Sequence, residues 1–140
     1  MSKPKLSLAL VAALLVVAAA PSAADEAELI AILKSDAPQK AKADACRELS
    51  RVATEKSVPA LAALLGDEKL AHMARYALEP IPHSSVDDAL RGAMGKLKGR
   101  LLVGVIGSIG VRRDVKAVAS VAGLLNDADA EVARAAARAL

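Results

Sequence analysis

The sequence contains no Trp and no Phe, a single Tyr at position 76 and a single Cys at position 46. Each shortage closes off a class of function. Platforms that stack bases or sugar rings need several aromatic faces, so no nucleic-acid partner is expected, and carbohydrate binding falls with it. One Cys cannot form an intramolecular disulfide. Cys46 sits among Ala43, Ala45 and Leu49 on a helical stretch, which predicts a buried, inert thiol. His72 and His83 have no Cys or second His at ligand spacing, so no metal site is expected. Nucleotide chemistry is also missing. Gly104-Val-Ile-Gly107-Ser-Ile-Gly110 lacks the G-x-G-x-x-G order, no strand leads into it, and no Lys-Ser/Thr follows a glycine as in a P-loop. Asp87 and Asp88 are adjacent and diverge on a helix, and Ser84 and Ser85 lie in no nucleophile motif. No catalytic residue, cofactor or metal is expected, and the chain is read as a non-enzyme.

What the chain does have is small aliphatic side chains. Apolar residues make up 54% of its 140 positions, with Ala, Leu and Val dominant. Such residues suit closely packed helices, whereas sheets favour β-branched and aromatic ones. The length allows one folded domain.

The first 24 residues read differently from the rest. Lys3 and Lys5 precede an apolar run from Leu6 to Ala20, and Pro21-Ser22-Ala23-Ala24 follows before acids begin at Asp25. A positive start, a short apolar centre and small residues at the exit make a secretory signal peptide over 1–24. Cleavage is expected after Ala24, giving a periplasmic or secreted product with no membrane span once the signal is removed. The apolar run is too short for a bilayer span of roughly 20 residues. Loss of Lys3 and Lys5 reduces 19 basic residues to 17 against 16 acidic ones. The mature chain, 25–140, is therefore close to neutral.

That mature part repeats itself. Val58-Pro59-Ala60-Leu61-Ala62-Ala63-Leu64-Leu65-Gly66-Asp67 returns as Val118-Ala119-Ser120-Val121-Ala122-Gly123-Leu124-Leu125-Asn126-Asp127. Helical spacing continues throughout. Leu29, Ile30 and Leu33 mark a helix over Glu26 to Lys34, and Asp36 with Pro38 opens a second that reaches about Ala53. Ser57 is expected to cap the next helix, with Asp67 capping one that ends at Leu78. Glu79-Pro80-Ile81-Pro82-His83-Ser84-Ser85 must be irregular, because two prolines cannot sit inside a regular helix. Ser84 and Ser85 are expected to cap a helix from Val86. Gly99 to Gly110 follows, apolar nearly all round, where Gly104 and Gly107 predict close approach of a neighbouring helix. Asp114 to Leu125 and a last helix to Leu140 complete the pattern. Leu49, Leu78, Ile109 and Leu140 close successive helix pairs at separations of 29, 31 and 31 residues. Units of that size mark an array of two-helix repeats.

On these residues the chain resembles the HEAT repeats of short bacterial type. Val58-Pro-Ala-Leu-Ala-Ala-Leu-Leu-Gly-Asp followed by Ala74-Arg-Tyr-Ala-Leu carries the likeness, as does Val118 to Asp127 followed by Val132-Ala-Arg-Ala-Ala-Ala-Arg-Ala-Leu140. The resemblance implies an all-α fold, a right-handed α–α superhelix of about four helix pairs. It also implies a scaffold that binds another protein, though some related repeats occur in chromophore lyases. The chain departs from the family at the Arg that usually follows the Val opening each second helix. That position holds Ala71, Leu102 and Ala133, and only Lys42 keeps a cation.

Two expectations concern partners. From Ala89 to Arg113 there is no acid, while Arg91, Lys96, Lys98, Arg100, Arg112 and Arg113 are cationic, so an anionic partner surface is expected there. The chain stops at Ala136-Ala137-Arg138-Ala139-Leu140 with no closing Gly. It is therefore expected to be incomplete at this end and to self-associate through the uncapped last helix. An alternative is the N-terminal repeat module of a larger secreted enzyme, with the chemistry encoded beyond residue 140. A lyase-like repeat protein is the remaining one.

Overall fold

The computed structural model describes residues 23–140. The expected export signal, all but its last two positions, lies outside the described residues. Within them the chain is all-α, with eight α-helices, two short 3-10 turns and no strand. The helices are α1 (Ala23–Lys34), α2 (Gln39–Val52), α3 (Val58–Ala62), α4 (Ala71–Leu78), α5 (Ser84–Met94), α6 (Gly99–Arg112), α7 (Val118–Ala122) and α8 (Ala130–Ala139).

Each odd-numbered helix packs on the even-numbered helix that follows it, and the even-numbered ones touch in succession, α2 on α4, α4 on α6 and α6 on α8. On the odd-numbered side α1 meets α3 and α3 meets α5. The core between the two sides is aliphatic. Leu49, Leu61, Leu65, Leu78, Leu90 and Ile106 are its largest fully buried side chains, each contributing about 1.5–3 kcal/mol by leaving water. Ala45, Ala74, Ala77 and Ala136 lie between them with almost no exposure, and it is these short side chains that let helices approach closely. Cys46 belongs to the same core, and burial pushes its thiol up to about 11.

The two copies of the repeat adopt the same local structure. A 3-10 turn, Glu55–Ser57 or Val115–Ala117, leads directly into a five-residue helix, α3 or α7. Their surroundings differ. Val58 is 4% exposed and Leu65 2%, whereas Val118 is 50% exposed and Leu125 41%. The reason is packing: α5 covers α3, while α7 meets α8 and its own 3-10 turn.

Several local expectations are corrected. Asp36 caps nothing; α2 starts after Pro38 without a side-chain cap, and the Ser35 hydroxyl holds the turn by donating to the Ile32 carbonyl and accepting from Ala37 N–H. Ser57 does not cap α3. Thr54 caps the preceding 3-10 turn, and the buried Ser57 hydroxyl donates to Glu26 Oε1 at 2.7 Å. The cap of α5 is the His83 ring, whose Nδ1 accepts from Ser85 N–H, and Ser84 and Ser85 already belong to the helix. Asp67 does cap the turn into α4, accepting from the N–H groups of Lys69 and Leu70. Asp127 accepts from Asp129 N–H, and Asp129 is the cap of α8.

The glycines of α6 also divide differently. Gly107 has nothing within 4 Å of where a Cβ would stand, so no helix approaches there. Gly110 is the backbone contact, with Ala139 Cα 3.0 Å from that point. Gly104 makes room for a side chain instead, since a Cβ would collide with the Arg75 guanidinium. Helical phase explains the split: Gly107 falls on the outer face with Val111, while Gly110 turns toward α8.

Candidate functional site

The six cations expected to form one surface separate into two kinds. Arg91 and Arg112 are structural anchors. The Arg91 guanidinium donates to Asp88, one turn back on α5, and to Asp114 beyond the end of α6. Partial burial works against its charge, but the hydrogen bonds and charges of Asp114 and Asp88 outweigh it and hold the guanidinium above its ordinary pKa. Arg112, at the end of α6, has a largely buried side chain. Its Nε donates to Asp87, Nη1 to the Glu79 and Ile81 carbonyls at 2.8 Å each, and Nη2 to the His83 carbonyl at 3.2 Å.

That arrangement follows from the two prolines. The 79–85 loop cannot satisfy its carbonyls along a helix, and a planar guanidinium with five donors can collect several at once. Sequence reasoning placed no acid between Ala89 and Arg113. The fold brings Asp87, Asp88 and Asp114 onto the two arginines from just outside that span.

The remaining four cations are exposed. Arg100 pairs with Glu68 at 3.0 Å, both side chains being largely in water, and a pair of that kind contributes little. Lys96 and Lys98 precede it in the loop between α5 and α6, without an ion pair among the described residues. Arg113 sits at the other end of α6 in the left-handed conformation, φ 53° and ψ 43°, and closes the helix. The Lys96–Arg100 group and Arg113 therefore lie at opposite ends of one 14-residue helix, about 20 Å apart at 1.5 Å per residue.

Two further clusters had no signal in the sequence beyond residue type. Glu26 on α1 is buried and accepts from Thr54 N–H at 2.7 Å, from the Thr54 hydroxyl and from the Ser57 hydroxyl. Desolvation opposes the charge, but these hydrogen bonds from Ser57 and Thr54, with nearby Lys56, hold the carboxyl below its ordinary value. The node ties the first helix to the start of the first repeat copy.

The second cluster lies between α4 and α6. His72, Arg75 and Tyr76 on α4, with Glu79 just past its end, recur at helical spacing opposite Gly104, Gly107, Ser108 and Val111 on α6, and they line an open groove of about 250 Å³. Glu79 Oε1 accepts from the buried Ser108 hydroxyl at 2.6 Å. Burial depresses the Arg75 guanidinium, opposed by the charge of Glu79, and Arg75 makes no hydrogen bond or ion pair among the described residues.

No three of His, Cys, Asp and Glu come together as metal ligands among the described residues, and no described helix is long and apolar enough to cross a membrane. Comparison with protein-family models and with curated proteins finds no match for this chain.

Proposed function

We propose that the protein is an exported, non-catalytic scaffold, a right-handed HEAT-like α–α superhelix of helix pairs that holds another protein. One observation carries this reading: the even-numbered helices α2, α4, α6 and α8 touch in succession, each backed by the helix before it. Stacked pairs of this kind make a long, continuous face whose curvature and side chains are set repeat by repeat, which suits an extended partner. The two repeat copies with equal 3-10 turns and equal short helices support the same reading. Export is supported by the order of charge, apolar run and small residues over 1–24.

The test has two parts. N-terminal sequencing of the exported protein is expected to begin at Asp25. Retention of Met1 on a soluble product would remove export from the reading. For the scaffold, the mature chain immobilised at low salt is expected to retain a protein from envelope extract. That protein, purified separately, should then rebind with a defined stoichiometry. Failure of any retained protein to rebind would refute the scaffold.

A further inference from the structure

The strongest unassigned feature is the groove between α4 and α6. The only aromatic residue of the chain lies on it, and Tyr76 is 52% exposed although a core was available to take it. Val111, one turn beyond Gly107, is 67% exposed on the same face. Gly107 leaves the floor between them open, with nothing within 4 Å of its Cβ position. A second hollow of about 320 Å³ continues past Gly107 and Val111 to Arg138 on α8. Exposed Tyr and Arg around an apolar floor are the residue types that concentrate binding energy at protein interfaces.

The charge pattern selects the occupant. Glu79 accepts from Ser108 and its charge also acts on Arg75, but with Arg138 the groove and its continuation carry two arginines to this one acid. Arg75 and Arg138 make no ion pair among the described residues, and they stand on either side of the Tyr76–Val111 floor. The Arg75 guanidinium packs on the bare Gly104 backbone and makes no hydrogen bond among the described residues, and charge-assisted bonds to a carboxylate are about twice as strong as neutral ones. We propose that this groove takes an acidic segment of a partner protein, an Asp or Glu seated on Arg75 with apolar neighbours laid over Tyr76, Gly107 and Val111. The inference rests on the scaffold reading and names its surface and the chemistry of its partner.

The probe is the C-amidated peptide Leu-Glu-Val-Leu-Glu-Val with fluorescein attached to its N-terminal nitrogen, followed by fluorescence anisotropy against the mature chain. Its control carries Gln in place of both Glu. The Glu peptide is expected to bind about tenfold tighter than the Gln peptide. Arg75→Gln removes that preference, and Tyr76→Ala weakens both peptides. Because Arg75 also touches α6, a second variant guards the test. Gly107→Leu adds a side chain where there is open space, keeps the helix, and is expected to block both peptides at least tenfold. Equal binding of the two peptides, unchanged binding by folded Arg75→Gln and Gly107→Leu, or equally tight binding of inorganic phosphate would each overturn the groove. A partner from extract whose capture survives Gly107→Leu sinks the groove and leaves the scaffold standing.

Discussion

Burial of a carboxylate disfavours its charge, and at Glu26 three donors from Thr54 and Ser57 reverse that outcome. Because the folded pKa lies below the ordinary 4.5, the bound proton count is higher in the unfolded chain. The stabilisation is fully present above about pH 4.5 and is lost as pH falls through the lower folded value. Glu26→Gln keeps the shape but replaces an acceptor oxygen by an amide NH2 donor facing groups that already donate, and at pH 7 it is expected to cost about 1.5–3 kcal/mol. Urea unfolding at pH 7 and pH 3 reads the difference, which should shrink at the acid end. A gap independent of pH would exclude an ionised Glu26. In the sequence Glu26 looks only like an acid favourably placed in a first turn. Its partners lie 28 and 31 residues away, and no local pattern announces a contact at that range. The α6 glycines make the same point. Their spacing is visible in the sequence, but which neighbour each one faces depends on how α4 and α8 are set against α6. Gly107→Ala, at an open site, is expected to stabilise by about 1 kcal/mol. Gly110→Ala should gain less or lose, because Ala139 must shift by a few tenths of an ångström. Melting temperatures in the reverse order would contradict the assignment of the helix contact to Gly110.

Among the elements, the helices themselves were legible because periodicity and breakers are local. Leu49, Leu78 and Ile109 fall at or within three residues of the ends of α2, α4 and α6, and the two prolines forced the 79–85 break. Caps were less legible, because a hydroxyl near a helix start has competitors. Ser57 is drawn to a buried carboxylate, and His83 reaches Ser85 N–H before either serine acts. The repeat shows most clearly how environment overrides sequence. Leu65 and Leu125 occupy the same position in two near-copies, yet one is enclosed and the other borders solvent. Leu65→Ala is expected to cost about 2–5 kcal/mol through lost transfer and a cavity. Leu125→Ala should change stability by about 0.5 kcal/mol or less. Chemical denaturation of the two variants compares them directly. Equal losses would mean that α7 is covered as fully as α3 in solution.

At the scale of the whole molecule, charge acts in two ways that the sequence lists side by side. The run without acids from Ala89 to Arg113 looks uniform along the chain, because what separates its members is which carboxylates and carbonyls the fold carries to them. Arg112 holds Asp87 and three loop carbonyls, while Lys96, Lys98 and Arg100 stand in water beside one exposed acid. Removing Arg112 leaves Asp87 and the carbonyls of a Pro-bound loop without their donor, a loss of about 3–5 kcal/mol for a partly buried ion pair. Reversing Lys96, Lys98 and Arg100 together to Glu gives up only an exposed pair, worth about 1 kcal/mol or less. Arg112→Ala is therefore expected to lower the melting temperature sharply and to loosen amide protection through 79–85, and added salt should not restore it. The triple reversal should melt close to wild type. If the exposed group steers an acidic partner, that variant should slow association at low salt, with the difference vanishing as screening shortens to about 8 Å at physiological ionic strength. Stopped-flow binding to the rebinding partner at two salt concentrations reads this. An association rate unchanged by the reversal at low salt would assign the three cations to solvation alone. A melting temperature equally depressed in both variants would mean that Lys96, Lys98 and Arg100 also hold the fold together.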